Sequence, residues 1–98
     1  TTGIEKEKET PNDFRLLQNY PNPFNPSTTI SFSLPKDQNV SLIVYDVLGK
    51  QVQTLVNEFL PLGNYSLKFD ATGLSSSIYF YRLKTDRFTQ TKKMLLTK

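Results

Sequence analysis

Apolar residues recur at every second position in six successive stretches after residue 14. Thr28, Ile30, Phe32 and Leu34 alternate with Thr29, Ser31 and Ser33. Val40, Leu42 and Val44 share one parity, with Ile43 and Tyr45 on the other. Val52, Thr54 and Val56 follow, then Tyr65, Leu67 and Phe69. Next come Tyr79, Tyr81 and Leu83, with Ile78 and Phe80 opposite, and last Phe88 and the run Lys92–Leu96. A period of two places alternate side chains on opposite faces of a strand. A short seventh strand is expected near Phe14–Leu17. No stretch carries a capped stripe of period 3.6, so helices are not expected.

Turn chemistry falls between the stretches. Pro35-Lys-Asp-Gln-Asn39 separates the first two full strands, and Asp46-Val-Leu-Gly-Lys50 offers Gly49 for a left-handed hairpin position. Pro61-Leu-Gly-Asn64 is another turn, and Asp70–Ser77 is the longest connection. Short strands at this spacing predict an all-β, immunoglobulin-like antiparallel β-sandwich of about seven strands. The first residue pair after the longest loop, Ile78-Tyr79, stands where such sandwiches place a corner tyrosine. Tyr79 is either that corner, with its hydroxyl bonded back to the loop, or simply a core aromatic.

Ninety-eight residues suffice for one domain. The apolar share is 37%, which is low, but seven Phe and five Tyr add large rings to a core. The alternation nominates Ile30, Phe32, Leu34, Val40, Leu42, Val44, Val52, Leu67, Phe69, Tyr79, Tyr81 and Leu83 as inward. Residues 1–13 carry Ile4 as their one large aliphatic side chain among alternating Glu and Lys, and read as a flexible linker before a domain at 14–98. The chain starts with Thr, and is read as part of a longer protein.

Several chemistries lack their residues. Without Cys or His there is no thiolate nucleophile, disulfide, zinc site of the usual kind or imidazole base. No phosphate-cradling glycine loop and no calcium loop spacing is present. Asp37, Asp46, Asp70 and Asp86 sit at strand ends, where Asp caps backbone amides. The expectation is a non-enzyme with no catalytic residue, cofactor or metal. No apolar run nears the ~20 residues of a membrane span. The formal charge is +3, and it is unevenly placed: residues 1–13 sum to −2 and residues 82–98 to +5. The basic residues are interspersed with Thr, which suits a solvated strand face better than a nucleic-acid groove.

Asn19-Tyr-Pro-Asn-Pro-Phe-Asn-Pro26 stands apart. Its prolines remove backbone donors and hold the chain extended, so it cannot be a central strand. It reads as a stiff connector on which Tyr20 and Phe24 can anchor.

The run Leu17–Ile30 containing this segment, the stretch Val40–Val52, the pair Gly63-Asn-Tyr65, and Ile78–Leu83 with Lys92-Lys-Met-Leu-Leu96 occur in that order. Together they resemble the C-terminal sorting domain of cargo proteins of the type IX (Por) secretion system, type A-like, found in Bacteroidetes-type bacteria. The flagellar hook-capping immunoglobulin-like domain is a similar fold. The resemblance implies an address that directs a larger cargo across the outer membrane for release or surface attachment. It also implies as partners an outer-membrane translocon, a sortase-like peptidase and an upstream cargo domain in the same chain. The family motif falls on Pro21, Asn22, Pro23, Gly63, Tyr65, Ile78 and Tyr79. The family usually has Gly where this chain has Ser77, which would strain Ser77 if a positive φ were needed there.

A terminal edge strand can be read by strand addition or by side chains. Lys92, Lys93, Met94, Leu95, Leu96 and Lys98 are the candidate recognition residues. Parity sets Lys92 with Met94 and Lys93 with Leu95. The other function classes are a spacer or adhesion module, and a carbohydrate-binding accessory domain, which would need an exposed row of aromatics. Exposed edge strands also allow a weak homodimer.

Overall fold

A computed structural model describes residues 11–98 together with the backbone of 5–7. The alternating stretches form strands with no helix among the described residues. In chain order they are β1 (Glu5–Glu7), β2 (Arg15–Leu16), β3 (Ser27–Leu34), β4 (Gln38–Tyr45), β5 (Gln51–Leu60), β6 (Gly63–Asp70), β7 (Ser77–Lys84) and β8 (Thr89–Leu96). They build two antiparallel sheets, in the orders β1-β6-β3-β2 and β5-β4-β7-β8. With β2, β3 and β6 as A, B and E, and β4, β5, β7 and β8 as C, C′, F and G, this is the immunoglobulin-type sandwich. The expected linker over 1–13 falls mostly outside the described residues; the described backbone of Glu5–Glu7 pairs with Asn64–Ser66 of β6.

Register follows parity. Ile30 faces Leu67 and Phe32 faces Tyr65 across the first sheet, where the Phe32 and Tyr65 rings stack at 5.2 Å. Leu42 faces Leu83 and Val44 faces Tyr81 across the second. These inward rows, with Leu16, Phe24, Met94 and Leu96, close one hydrophobic core. A cross-strand aromatic pair adds to what its buried area contributes.

Val52 departs from expectation. It is only partly buried, whereas Leu55 and Val56 are both inward. The cause is two bulges in the β4–β5 pairing: the register slips between Leu42 and Ile43 and again between Val44 and Tyr45. Each slip adds one residue on β5 and reverses its parity, so strict alternation fails on this edge strand.

Turns and corners use the expected residues. Asp46 Oδ1 accepts the amides of Leu48 and Lys50, both at 2.9 Å, and Gly49 takes φ +81° at the hairpin tip. Asp37 Oδ1 accepts the Leu62 amide, and Asp70 Oδ1 accepts the amide and the hydroxyl of Thr72. The Thr72 bonds hold the Asp70 carboxyl below its usual range. The Tyr79 hydroxyl donates to the Ser75 carbonyl at 2.7 Å, which is the corner geometry. Tyr65 repeats it on Pro61 at the start of β6. Ser77 is an ordinary strand residue opposite Leu96, and no described residue other than glycine has a positive φ, so the replaced glycine leaves no strain there.

Candidate recognition surface on the terminal ribbon

β8 is the last strand of the second sheet and pairs with β7 along its whole length, from Ser77 opposite Leu96 to Lys84 opposite Thr89. Met94 and Leu96 point inward and are fully buried. Lys92 shares their parity, pairs opposite the buried Tyr81 and is half-buried. Lys93, Leu95 and Lys98 are exposed. The Lys98 amide donates to Ser76 Oγ at 3.0 Å, which fixes the final residue against the loop before β7. Three of the six candidate residues therefore present side chains outward, Lys92 is half-buried on the inward parity, and Met94 and Leu96 lock the ribbon down.

The outer edge of β8 is not bare. The proline-rich connector lies along its C-terminal half and bonds to backbone groups between Lys93 and Thr97. Gln18 Nε2 donates to the Lys93 carbonyl at 2.7 Å. The Leu95 amide donates to Asn22 Oδ1 at 3.0 Å. The Phe24 amide donates to the Leu95 carbonyl, and the Thr97 amide to the Phe24 carbonyl, both at 3.0 Å. Two of these four contacts come from side chains, because a segment containing three prolines has too few amides to make a regular ladder. Asparagine and glutamine replace the missing donors and acceptors.

The connector is itself anchored. The Phe24 ring is buried against Phe69, with centroids 6.1 Å apart. Asn19 is buried; its Nδ2 donates to the Pro21 carbonyl and to Thr28 Oγ1, and Thr28 Oγ1 donates to the same Pro21 carbonyl. The Asn19 amide donates to the Tyr81 hydroxyl at 2.8 Å, and that hydroxyl donates to the Leu17 carbonyl at 2.7 Å. Burial pushes the Tyr81 phenol up to about 12, with the Asn19 amide pulling the other way. Pro21, Asn22 and Pro23 are exposed above this base, and Tyr20 is 80% exposed, so Phe24 is the anchor of the two aromatics and Tyr20 is not.

The other motif positions serve the fold. Gly63 opens β6 with φ +150°, a backbone that side chains avoid, and Tyr65 forms the second corner. Tyr79 makes the first corner, and Ile78 lies opposite Leu95 on the outer face. Sequence reasoning did not find the clasp by Gln18, Asn22 and Phe24, nor the Tyr81 hydroxyl as its fastener. Its only signal was the polar amides interleaved with proline.

The large exposed aromatics, Tyr20 and Phe59, lie beside different sheets and make no row of the kind a sugar-binding face uses. No curated protein and no solved structure matches the chain. A family model described as the secretion system C-terminal sorting domain matches residues 18–97, from the start of the clasp to the end of the ribbon it holds. The chain belongs to this family, the C-terminal sorting domains of the type IX (Por) secretion system.

Proposed function

We propose that the export machinery reads the terminal ribbon of this domain, from about Ile78 to Lys98, through the side chains displayed on β8. As a sorting domain the chain directs the protein that carries it through the outer membrane, to the cell surface or the medium. The family is a non-catalytic one.

One observation carries the reading. The Lys93 carbonyl, the Leu95 amide and carbonyl and the Thr97 amide are already hydrogen-bonded to the connector, whereas the side chains of Lys93, Leu95 and Lys98 are exposed. Recognition at this end of β8 therefore falls to side chains and not to an added strand. Lys92, Lys93 and Lys98 supply charge and Leu95 supplies apolar contact. Met94 and Leu96 hold the ribbon in place from below.

The finer assignments belong to the same reading. The domain proper runs over 14–98, with 1–13 as the connector to a cargo domain earlier in the same chain. The partners are an outer-membrane translocon and a sortase-like peptidase. The order of the motifs and the corner tyrosine support the type A subclass and the hook-capping immunoglobulin-like domain as a fold neighbour.

The test is a neutral reporter fused ahead of the chain in a type IX-competent host. Deleting 92–98 would remove Met94 and Leu96 from the core and confuse misfolding with lost recognition. Reversing charge at Lys92, Lys93 and Lys98 with Glu removes no apolar side chain from the core. Export is expected to fall while the melting curve stays in place. Normal export by the folded triple variant rejects the assignment.

A further inference from the structure

The two outer faces of the sandwich differ in character. On the first sheet the outward residues of β3 and β6 are small and polar, and they satisfy one another: Ser31 Oγ lies 2.9 Å from Ser66 Oγ, and Ser33 Oγ donates to Asn64 Oδ1 at 2.6 Å. Lys68 and Asp70, two positions apart on β6, offset each other's charge.

The second sheet presents the opposite. Register places Ile43 and Tyr45 of β4, Ile78, Phe80 and Arg82 of β7, and Lys93 and Leu95 of β8 on its outer face. Phe80 stands between Tyr45 and Lys93, and Ile78 beside Leu95. Among the described residues, the charged side chains facing outward from these four strands are Arg82, Lys84 and Lys93, and none is a carboxylate. The β4–β5 hairpin rises at the margin with Val47 58% exposed and Leu48 89% exposed, held rigid by the Asp46 cap. Between this hairpin and β7 lies a shallow pocket of about 300 Å³ lined by Tyr45, Asp46, Val47, Gly49, Phe80, Arg82 and Thr91. Arg82 is pre-positioned in it: its guanidinium carbon sits 4.9 Å from the Tyr45 ring centroid, and its Nε donates to Thr91 Oγ1 at 3.3 Å.

Resting on the reading that the terminal strands are recognised, we propose that this outer face docks an acidic protein segment, with an apolar side chain of that segment entering the Tyr45–Phe80 pocket and its carboxylates meeting Arg82, Lys84 and Lys93. A contiguous exposed apolar patch is a mark of an interaction site, and aromatic residues with Arg are enriched at such sites. The unbalanced positive charge selects the sign of the partner and steers its approach. The arrangement suits a protein and not a polyanion such as a charged glycan or lipid surface. Its cations are separated by aromatic and aliphatic side chains, Arg82 is already committed to a ring, and the Asp46 carboxylate that lines the pocket has its Oδ1 engaged by the Leu48 and Lys50 amides.

The experiment uses the same reporter fusion with Arg82→Glu and Lys84→Glu together. Export is expected to drop at least tenfold with an unchanged melting temperature, while Lys68→Glu on the opposite face exports normally. If the double reversal lowers the melting temperature, Arg82→Gln with Lys84→Gln takes its place, with a smaller loss expected. Normal export by the folded variant overturns the proposal. A parallel variant, Lys92→Glu with Lys98→Glu, separates the two readings. Loss there with normal export by the Arg82/Lys84 variant keeps the terminal ribbon and rejects this face; normal export by both rejects both. The partner's class is read by placing the photo-cross-linker p-benzoylphenylalanine at Val47 in exporting cells. A cross-linked peptide with Asp or Glu within a few residues of the link, lost in the Arg82/Lys84 variant, is expected. Cross-linking to lipid or polysaccharide, or to a peptide without nearby carboxylates, overturns it.

Discussion

Asn22 Oδ1 accepts the amide of Leu95 at 3.0 Å, across 73 residues of sequence. This bond joins the first part of the family match to the last. It stands in the position of a ladder bond that a proline-rich segment cannot provide from its own backbone. The connector thus closes the edge of β8 from Lys93 to Thr97, and an edge closed within the chain is not open to pairing with another molecule there.

Replacing Asn22 by Ala leaves the Leu95 amide without its partner. The expected cost is about 1 kcal/mol, the usual net contribution of such a bond. Amide hydrogen exchange at Leu95 should quicken relative to Met94, whose inward pairing with β7 is untouched. Asn22→Asp keeps an acceptor at the same place and should restore most of the protection.

The Tyr81 hydroxyl serves two backbone groups, the Leu17 carbonyl and the Asn19 amide. Tyr81→Phe keeps the ring and strands both groups beside a buried side chain. Unsatisfied buried groups cost more than the bond they lose, so a loss of about 2 kcal/mol is expected in urea unfolding. Tyr79→Phe should cost less, because Ser75 is exposed and water can replace the hydroxyl.

The same hydroxyl sets an alkaline limit. Burial raises the Tyr81 phenol from 10.0 to about 12, and burial with the nearby Asp37 and Glu58 raises Tyr65 as well. A phenol is neutral while protonated, so the native state keeps protons that the unfolded chain releases once the pH passes its ordinary value. The stabilisation is complete below pH 10 and is lost as the pH climbs toward 12. The melting temperature should fall through this window, and more shallowly in Tyr81→Phe, where the raised Tyr65 still contributes. Ultraviolet titration should show one late-ionising tyrosine that the variant lacks.

Much of the architecture could be read from alternation, because each face of β3, β4, β6 and β7 meets one environment along its full length. The core residues chosen by parity on these strands are buried. β5 escaped this logic. Its bulges at an edge change parity twice within one strand, and periodicity has no signal for an inserted residue. Met94 and Leu96 were legible as one parity, but parity alone did not show that Lys92, on the same face, is only half-buried. The clasp was illegible for another reason. Its contacts join Gln18 to Lys93 and Asn22 to Leu95, and no local pattern encodes a partner that far along the chain. The Arg82–Tyr45 pairing needs the β4–β7 register, which neither strand specifies alone.

At the β4–β5 hairpin, a Cβ on Gly49 would meet nothing within 4 Å, yet its φ of +81° lies where side chains are disfavoured. Gly49→Ala should therefore destabilise by about 1–2 kcal/mol through backbone strain alone. Gly49→Asn, which tolerates this region better, should recover part of the loss. Paired thermal melts of the two variants check the ordering.

Tyr20 and Phe24 give the sharpest contrast in the domain. They stand four residues apart in one proline-rich run, and either could have been the anchor. Phe24 is 2% exposed and packs on Phe69, while Tyr20 is 80% exposed. Phe24→Ala removes a buried ring and leaves a cavity between the two sheets, for an expected cost of about 3–5 kcal/mol. That is a large share of the roughly 5–15 kcal/mol that holds a domain of this size together. The loss should also release the Leu95 carbonyl and the Thr97 amide, since both bond to the Phe24 backbone. Hydrogen exchange should then rise along the end of β8 at denaturant concentrations that leave β3 and β6 protected. Tyr20→Ala should change stability by no more than about 0.5 kcal/mol, as surface substitutions do. Equal effects of the two replacements in urea unfolding would mean that the connector is not fastened at Phe24.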